Sequence, residues 1–341
     1  MKIKKEELKE ALSIVKPGLA NKELIEQSTS FAFVNGTVVT YNDEISISHP
    51  VKGLELQGAV KAEELYNLLS KLKEEEIDLV LEGNEILITC GKAKAGIRLE
   101  EEIKLPLEEI GSIDNWKDVT EDFVDAIAFV LPACGRDMSK AVLTCVHIRK
   151  AGGAEASDGY KLARYKSKGK LDIDDNFLIP ANSARILINK DIKKISKTDG
   201  WCHFLTSENT VISCRILNDK FPDISEHIKV EGQELTLPQS LTEVIERTKV
   251  FAKRDYEMDE SILIKIADNR MKIKGESQTG WYREEINMKY KDEPITFAIT
   301  PSLLTNILSK TNTCIVGENK ILFKKDNWEY MSLLRNMDKK A

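Results

Sequence analysis

The 341-residue sequence has no apolar run near the ~18 residues that a membrane-crossing helix needs. Behind its first charged residues there is no apolar stretch of the kind that a secretory signal requires. Its six cysteines form no CxxC pair, which argues against a zinc site and a disulfide framework. We therefore expect a cytoplasmic protein with no membrane partner, whose thiols are reduced and buried: Cys90, Cys134, Cys145, Cys202, Cys214 and Cys314.

The common catalytic and nucleotide-binding motifs GxSxG, GxxxxGK[ST] and GxGxxG are also missing. Cys145 and His147 would share one side of a predicted strand, but no motif supplies the two further ligands that a metal needs. The run 172–176 opens like a calcium loop, yet Phe177 replaces the central Gly and Ser183 replaces the Glu at loop position 12. We expect neither a cofactor nor a metal, and predict a solvated loop there.

Positive charge is not in excess. The chain has 50 Lys and Arg against 56 Asp and Glu, a net charge of −6. A protein that holds DNA by neutralising phosphates usually carries a basic excess. Any role on DNA would therefore need a locally basic surface on an acidic body. The composition, 42% hydrophobic and 31% charged, is typical of a soluble globular protein.

What the sequence does contain is a repeat. Three stretches of helix followed by hairpin begin at Gly58, Phe177 and Phe297, in steps of 119 and 120 residues. In the first, Leu65, Leu68, Leu69 and Leu72 follow helical spacing, and period-two alternation comes next. The hairpin turns contain Asn84, Asn209 and Asn319, and Asn tolerates the turn conformation.

The other half of each copy is predicted to be a helix followed by strands. The helices are Glu7–Val15, Phe123–Val130 and Leu241–Phe251. The strands are Phe31–Val34, Val38–Tyr41, Val142–Ile148, Ile262–Ile266 and Met271–Ile273, with closing strands Glu44–Ser48, Tyr160–Tyr165 and Trp281–Met288. We predict an α+β fold of three tandem domains, 1–115, 116–229 and 230–341. The alternative is three unrelated segments aligned by chance.

Basic residues cluster locally, most densely in a predicted helix from Ser183 to Thr198. Repetition around an axis would bring such clusters onto one inner surface. The alternative, for any single helix, is an ordinary solvated face. The candidate DNA-facing residues are Lys16, Lys22, Arg136, Lys140, Arg185, Lys190, Lys193, Lys194, Lys197, Arg247, Lys249, Lys253 and Arg254.

The central third contains Ser157-Asp-Gly-Tyr-Lys-Leu-Ala163 and, further on, a run ending in Phe221-Pro-Asp223. These two segments resemble the motifs TDGHRLA and GRFPD of the bacterial DNA polymerase III beta subunit, or beta sliding clamp, family. Asp114-Asn-Trp116 matches the linker between the first two domains, and Phe177-Leu-Ile-Pro-Ala resembles a strand-to-helix junction. The first and last thirds diverge, which suggests a phage-borne or otherwise divergent member.

The resemblance implies a homodimeric, head-to-tail ring with helices lining a pore and antiparallel sheets outside. Such a ring would encircle double-stranded DNA without sequence preference and tether a DNA polymerase, as a processivity factor that is not itself an enzyme. A clamp loader would be a further partner. Enclosure needs only weak phosphate contacts, which suits the acidic body.

The resemblance also implies a hydrophobic pocket for partner peptides. Its residues here would be Leu143, Ser157, Gly159, Tyr160, Lys161, Leu162, Pro222, Met331, Leu333 and Met337. Leu and Met give adaptable apolar walls, and Gly lets a peptide backbone approach. The family's MPMRL-like ending is altered, because Leu334 and Asn336 replace its Pro and Arg. A plain β-turn is the simpler interpretation of Ser157–Gly159.

For the dimer interface, Ile97 and Leu99 of one chain would face Val250 and Phe251 of the other. The alternative is that these four side chains fill their own cores. Two other functions stay open: a metal-dependent DNA-modifying or nucleolytic enzyme using Asp172, Asp174 and Asp175, and a clamp-like partner-binding protein that no longer closes a ring.

Overall fold

The computed structural model describes residues 1–256 and 259–335. Contacts divide the chain into two compact units. The first comprises Met1–Ala154 and Ser167–Phe221, and the second comprises Glu155–Lys166 and Pro222–Ala341. No helix in the described residues is long and apolar enough to cross a membrane.

The first third of the chain begins with a helix that buries one apolar stripe. Leu8, Ala11, Leu12 and Val15 follow the i, i+3, i+4, i+7 spacing and are all buried. The elements are β1 (Lys2–Lys4), α1 (Lys5–Val15), β2 (Ser30–Val34), β3 (Thr37–Tyr41), β4 (Ile45–Pro50), β5 (Gly58–Lys61), α2 (Ala62–Lys71), β6 (Glu76–Glu82), β7 (Glu85–Cys90) and β8 (Ala93–Glu100).

The second third has the same order of elements. Its first helix is almost wholly apolar, and the ring of Phe123 lies 5.8 Å from that of Phe204 in the core. The elements are β9 (Lys117–Asp118), α3 (Phe123–Val130), β10 (Cys145–Ile148), β11 (Ala154–Ser157), β12 (Lys161–Tyr165), β13 (Phe177–Pro180), α4 (Ala181–Leu187), β14 (Ile192–Thr198), β15 (Trp201–Thr206) and β16 (Val211–Arg215).

The last third follows the order again, and its second helix starts at Pro301, which is favourable at a first helical position. The elements are β17 (Gln233–Thr236), α5 (Leu241–Ala252), β18 (Ile262–Ala267), β19 (Arg270–Ser277), β20 (Gly280–Asn287), β21 (Ile295–Ile299), α6 (Pro301–Leu308), β22 (Thr313–Val316), β23 (Lys320–Lys325) and β24 (Trp328–Leu333).

One sheet of 12 strands spans the first unit, in the order β1-β6-β7-β8-β5-β2-β3-β4-β16-β15-β14-β9. β4 and β16 join the first copy of the repeat to the second, with Ile47 opposite Ile212. Helix α1 packs on α2 and α3 packs on α4, so helices cover the buried face of the sheet. Strands β10 and β13 also pair within this unit.

The second unit has two groups of paired strands. The first has the order β11-β12-β24-β23-β22-β17, and the second has the order β20-β19-β18-β21. β12 and β24 join the second copy of the repeat to the third, with Ala163 opposite Tyr330. Helix α5 packs on α6 and on β19 and β20.

The α+β class and the predicted first helices are confirmed, with ends within two residues of the structure. The predicted hairpin turns are confirmed as well: Gly83 and Asn209 have positive φ angles of 56° and 59°. All six cysteines are thiols outside any disulfide, and all but Cys134, which is half-buried, are buried.

Two predicted elements were wrong. The basic helix expected from Ser183 to Thr198 ends at Leu187, and Ile192–Thr198 is strand β14. Asn189, at φ 72°, breaks the helix, and burial of Ile192 and Ile195 against the sheet outweighs helix propensity. The strand expected from Val142 begins only at Cys145, because residues 138–144 form 3₁₀ turns.

Candidate functional site

The segment Ser157–Leu162 forms a tight turn whose backbone donors are satisfied by its own side chains. Asp158 Oδ1 accepts from the N–H groups of Tyr160 and Lys161, both at 2.8 Å. Ser157 Oγ accepts from Gly159 N at 3.0 Å. Gly159 has a φ of 91°, which a residue with a side chain adopts only with strain. These hydrogen bonds hold the turn together, and Tyr160 is 65% exposed.

Strand β24 runs beside this turn. Leu162 pairs with Met331, and Lys161 pairs with Ser332. The N–H of Leu333 donates to the carbonyl oxygen of Tyr160 at 2.8 Å. Two segments far apart in sequence, both predicted to contribute to the pocket, are therefore adjacent in the second unit.

Exposure separates the predicted pocket residues into two groups. Leu162 and Met331 are 5% and 4% exposed, so they support the surface from below. Tyr160 is exposed, and Leu333 is half-buried, so these two offer contact area. Lys161 holds its ammonium 3.5 Å from Asp158 Oδ2, at the edge of the turn.

Three other pocket residues lie elsewhere. Pro222 is exposed at the start of the second unit's longer segment, and Leu143 is half-buried in a 3₁₀ turn of the first unit. Met337 lies outside the described residues. The structure thus joins the turn to β24, while the assignment of the other three stays a prediction.

The basic residues predicted to share one helix lie on three kinds of element. Arg185 is on α4, Lys190 is in the following loop, and Lys193, Lys194 and Lys197 are on β14. Lys193 Nζ lies 2.6 Å from Asp191 Oδ1. Lys197 Nζ lies 5.3 Å from the centroid of the Phe177 ring. Arg185 and Lys194 are exposed.

Arg247 is fixed in a charged cluster. Its Nε and Nη2 donate to the two carboxylate oxygens of Glu284 at 2.9 and 2.8 Å, and Tyr282 donates to the same carboxylate at 2.6 Å. The hydrogen bond from Arg247 lowers the pKa of Glu284, and the bond to Glu284 raises the pKa of Arg247. Its charge is thus already neutralised on the protein.

The remaining basic candidates differ in what they contact. Arg254 donates to the carbonyl oxygens of Lys253 and Glu276, at 3.0 and 2.9 Å. Lys16 Nζ lies 4.2 Å from the centroid of the Tyr66 ring. Lys249 is half-buried, and the other four are exposed: Lys22, Arg136, Lys140 and Lys253.

The four candidate interface residues are not alike. Leu99 is 1% exposed opposite Val60, so it fills its own core, as the alternative stated above had it. Ile97 is half-buried, and Val250 is 67% exposed. The ring of Phe251 stacks on that of Tyr282 at a centroid distance of 6.4 Å.

The first carboxylate of the acidic run is held in an ion pair. Asp172 Oδ2 lies 2.7 Å from Lys117 Nζ, and this hydrogen bond lowers the pKa of the carboxyl group. His147 stacks on the ring of Phe221, and the thiol of Cys145 donates to the carbonyl oxygen of Ala141. Among residues 1–256 and 259–335, no group of three or more His, Cys, Asp or Glu side chains is placed to hold a metal ion.

Two residues of interest were missed by the sequence reasoning. Asp158 organises the turn, and the motif Ser-Asp-Gly was the signal that could have identified it. Trp281, on strand β20, is 60% exposed. A single Trp in an alternating strand could have been noticed, but nothing in the sequence says which face is exposed.

The sequence matches no family model. Solved structures, however, match it over nearly its whole length. The beta subunit of DNA polymerase III from Thermotoga maritima is 18% identical, with a TM-score of 0.82, and the match covers 98% of this chain and 99% of that one. The beta chain of DNA polymerase III from Streptococcus pneumoniae is 20% identical, with a TM-score of 0.85 and coverage of 98% and 99%.

A third match is the sliding clamp of Pseudomonas aeruginosa bound to griselimycin. It is 17% identical, with a TM-score of 0.85, and 99% of each chain is covered. The chain therefore has the fold of these beta subunits from end to end.

Proposed function

We propose that this chain is a DNA sliding clamp: a homodimeric ring that encircles double-stranded DNA and tethers a polymerase. The observation that supports this proposal most strongly is the full-length match to beta subunits, at TM-scores of 0.82 to 0.85. A likeness confined to one domain would be compatible with many functions, whereas the match covers 98% to 99% of the chain. The domains are 1–115, 116–229 and 230–341.

The surface chemistry supports enclosure rather than tight binding. The net charge is −6, and at least two of the thirteen basic candidates, Lys193 and Arg247, are paired with carboxylates. A cation that is already paired with a carboxylate contributes less to phosphate binding, and the contacts that remain are salt-dependent. Weak contacts inside a closed ring would hold DNA and still permit sliding. Such a protein acts in the cytoplasm, as an accessory subunit rather than an enzyme.

Closing the ring needs two unpaired sheet edges. Strand β20 lies at the end of its sheet, with β19 as its neighbour in the described residues. Strand β8 is paired with β7 along its length but with β5 only at Leu99 and Glu100. Exposed edges are prone to pair with another chain, so these two support a head-to-tail dimer.

The turn Ser157–Leu162 and strand β24 are proposed to receive peptides from the polymerase and the clamp loader. Tyr160 and Leu333 supply accessible apolar surface there, and Gly159 leaves open space above the backbone. Griselimycin, which binds the Pseudomonas aeruginosa clamp, is a suitable probe. We expect binding to this chain, and a roughly tenfold loss when Tyr160 becomes Ala. A variant at Trp281, on a different sheet, should bind the probe unchanged.

Topology provides the direct test of the clamp itself. The chain is incubated with nicked circular DNA, separated from free protein at physiological salt, and the DNA is then linearised. A clamp stays with the circle and is lost after the cut, because it slides off the ends. Sedimentation should give a dimer at micromolar concentration. A monomer retained equally on circular and linear DNA, or on neither, would contradict the proposal.

The same experiment distinguishes the alternatives. A metal-dependent enzyme would alter or cut the circle when Mg²⁺ is added, and would lose this activity when Asp172, Asp174 and Asp175 become Ala. A clamp-like protein that no longer closes a ring would bind griselimycin but remain a monomer.

A further inference from the structure

The large exposed side chain of Trp281 lies on a strand that, among the described residues, has a neighbour on one side only. Trp281 is 60% exposed on β20. Its backbone partner on β19 is Glu276, and the guanidinium carbon of Arg283 lies 6.0 Å from its ring centroid. An exposed Trp costs solvation free energy unless something covers it.

The repeat itself indicates what covers this edge. Within the chain, two joins connect successive copies: β4 pairs with β16, and β12 pairs with β24. Each join pairs two kinds of strand. One is the strand that closes the first half of a copy of the repeat, and the other is the last strand of the next copy. The remaining strands of these two kinds are β20 and β8, and they belong to different sheets. A second copy of the chain would supply the third join.

The repeat also fixes the register on the β8 side. In each copy, a residue at or just after the end of the last strand pairs with a residue of the strand that precedes the second helix. The three pairs occupy equivalent positions in the three copies. These pairs are Ala59–Glu100, Leu178–Leu217 and Ala298–Arg335. Five residues before the second member of each pair stand Ala95, Ile212 and Tyr330. In the two joins within the chain, Ile212 lies opposite Ile47 and Tyr330 lies opposite Ala163.

The repeat fixes the register on the β20 side in the same way. Tyr282 pairs with Gly275, which pairs with Ile262, which pairs with Ile299 just before α6. Ile47 occupies the corresponding place in the first copy, since it pairs with Thr40, and β2 pairs Phe31 with Val60 just before α2. Tyr282 is therefore the equivalent of Ile47, and its partner in a third join would be Ala95.

Resting on the proposed homodimer, we infer that Trp281 of one chain packs over Gly96 of the other. Antiparallel pairing of Tyr282 with Ala95 puts Trp281 directly opposite Gly96. Gly96 has no side chain, and its cross-strand neighbours Leu87 and Val80 form an apolar row on the same face. Val80 is 42% exposed there, so the row ends at the β8 edge in a space that the indole fills.

Residues on the opposite face of the joined sheet are also consistent with this register. Ile97 would lie opposite Gly280, and a Cβ atom built on Gly280 would be 3.3 Å from Phe251 Cε1. Ile97 would thus approach Phe251 without a side chain between them. One register fits a large residue to a glycine on each face: Trp281 to Gly96 outside, and Ile97 to Gly280 inside.

Disulfide trapping tests the register. Residues directly opposite across an antiparallel pair have Cα atoms about 4.5 to 5.5 Å apart, within the range that a disulfide spans. The double variant Gly96→Cys, Trp281→Cys should therefore form covalent dimers with diamide. The cysteine at 96 is tolerable, because its Cβ would meet only the ends of the Glu85 and Leu87 side chains, at 3.0 and 3.4 Å.

Matched controls shift the register by two residues. Trp281→Cys combined with Lys94→Cys or with Arg98→Cys puts the thiols on diagonal positions, about 7 to 8 Å apart. We expect at least tenfold less cross-linking there. Preferential cross-linking in a shifted pair, or a cross-link within one monomer, would overturn the inference. If the wild type is nevertheless a dimer, the proposed function is unaffected. A monomeric wild type would instead refute the proposed homodimer.

A second measurement does not depend on engineered thiols. Trp281→Ala should raise the dimer dissociation constant roughly tenfold or more, as is typical of a Trp at the centre of an interface. The control is Leu263→Ala, which removes an exposed apolar side chain from β18, a strand paired on both sides by β19 and β21. Equal dissociation constants for the two variants would contradict the inference.

Discussion

The backbone N–H of Leu333 donates to the carbonyl oxygen of Tyr160 at 2.8 Å. This bond joins the turn that carries the most recognisable motif to the last described strand. The accessible part of the proposed peptide surface is consequently set by backbone geometry on both sides. Side-chain changes in the last strand can alter what binds without moving the turn.

The turn depends on Asp158. Asp158→Ala removes the acceptor of two N–H groups, and we expect a loss of about 1 kcal/mol in the free energy of unfolding. Griselimycin binding should weaken as well, because the peptide plane at Gly159 is no longer held. Asp158→Asn keeps an acceptor oxygen and is the matched control. Equal binding by the Ala and Asn variants would contradict this role of the carboxylate.

Arg164 and Glu155 form a nearly buried ion pair in the second unit. Arg164 Nε lies 2.6 Å from Glu155 Oε1, and the two side chains are 12% and 7% exposed. Arg164→Ala removes the guanidinium that is paired with this nearly buried carboxylate, so we expect a loss of roughly 3 kcal/mol in the free energy of unfolding. Urea denaturation followed by circular dichroism measures it. Replacing both residues by Leu should recover most of that loss, and no recovery would show that the charges themselves are favourable.

His203 predicts a pH dependence of stability. Its ring is fully buried, with Nε2 2.8 Å from Thr198 Oγ1 and Nδ1 2.9 Å from Ser213 Oγ. Thr198 already donates to the carbonyl oxygen of Ile110, so its hydroxyl accepts from Nε2. Burial lowers the pKa of His203 from 6.5 to about 4.

The lowered pKa of His203 determines whether stability rises or falls with pH. The unfolded chain binds the proton more tightly, so stability is complete above pH 6.5 and is lost as the pH falls towards 4. From pH 7.5 to pH 5 the loss attributable to His203 is about 2 kcal/mol. His203→Gln should lose that much less stability over the same interval. Parallel pH profiles for the two proteins would contradict the assignment.

Arg185 and Arg247 should differ in their effect on DNA. Arg185 is exposed and forms no ion pair with the described residues, whereas Arg247 is bound by Glu284. For a short duplex, we expect Arg185→Ala to reduce the slope of log affinity against log salt by about one. Arg247→Ala should leave that slope unchanged. Fluorescence anisotropy over a salt series measures both, and equal slopes for the two variants would contradict the distinction.

The repeat and its element order were predictable, because they depend on local periodicity. Buried Leu8, Leu12 and Val15 define a helix face, and Ile86, Ile88 and Cys90 alternate along a strand, so spacing alone indicates the element. The turn at Ser157–Gly159 was predictable for the same reason. Its residues satisfy one another within five positions of the chain.

The basic segment after Ser183 shows where sequence reasoning failed. Lys190, Lys193, Lys194 and Lys197 have a spacing compatible with a helix face. The segment is nevertheless a strand from Ile192, because β15 pairs with it from Ile192 to Thr198, apart from a bulge at Lys193, and Ile195 is buried. Such non-local hydrogen bonding is not encoded in the spacing of charges.

The sequence by itself determined the threefold order of helices and strands and the turn that carries the motif, since both arise from neighbours along the chain. Only the tertiary structure decided which strand edges are left unpaired, that Arg247 is neutralised by Glu284, and that Trp281 is exposed while Leu99 is buried. These properties depend on contacts between residues tens to hundreds of positions apart. The same side chain can serve either role until the sheet is assembled.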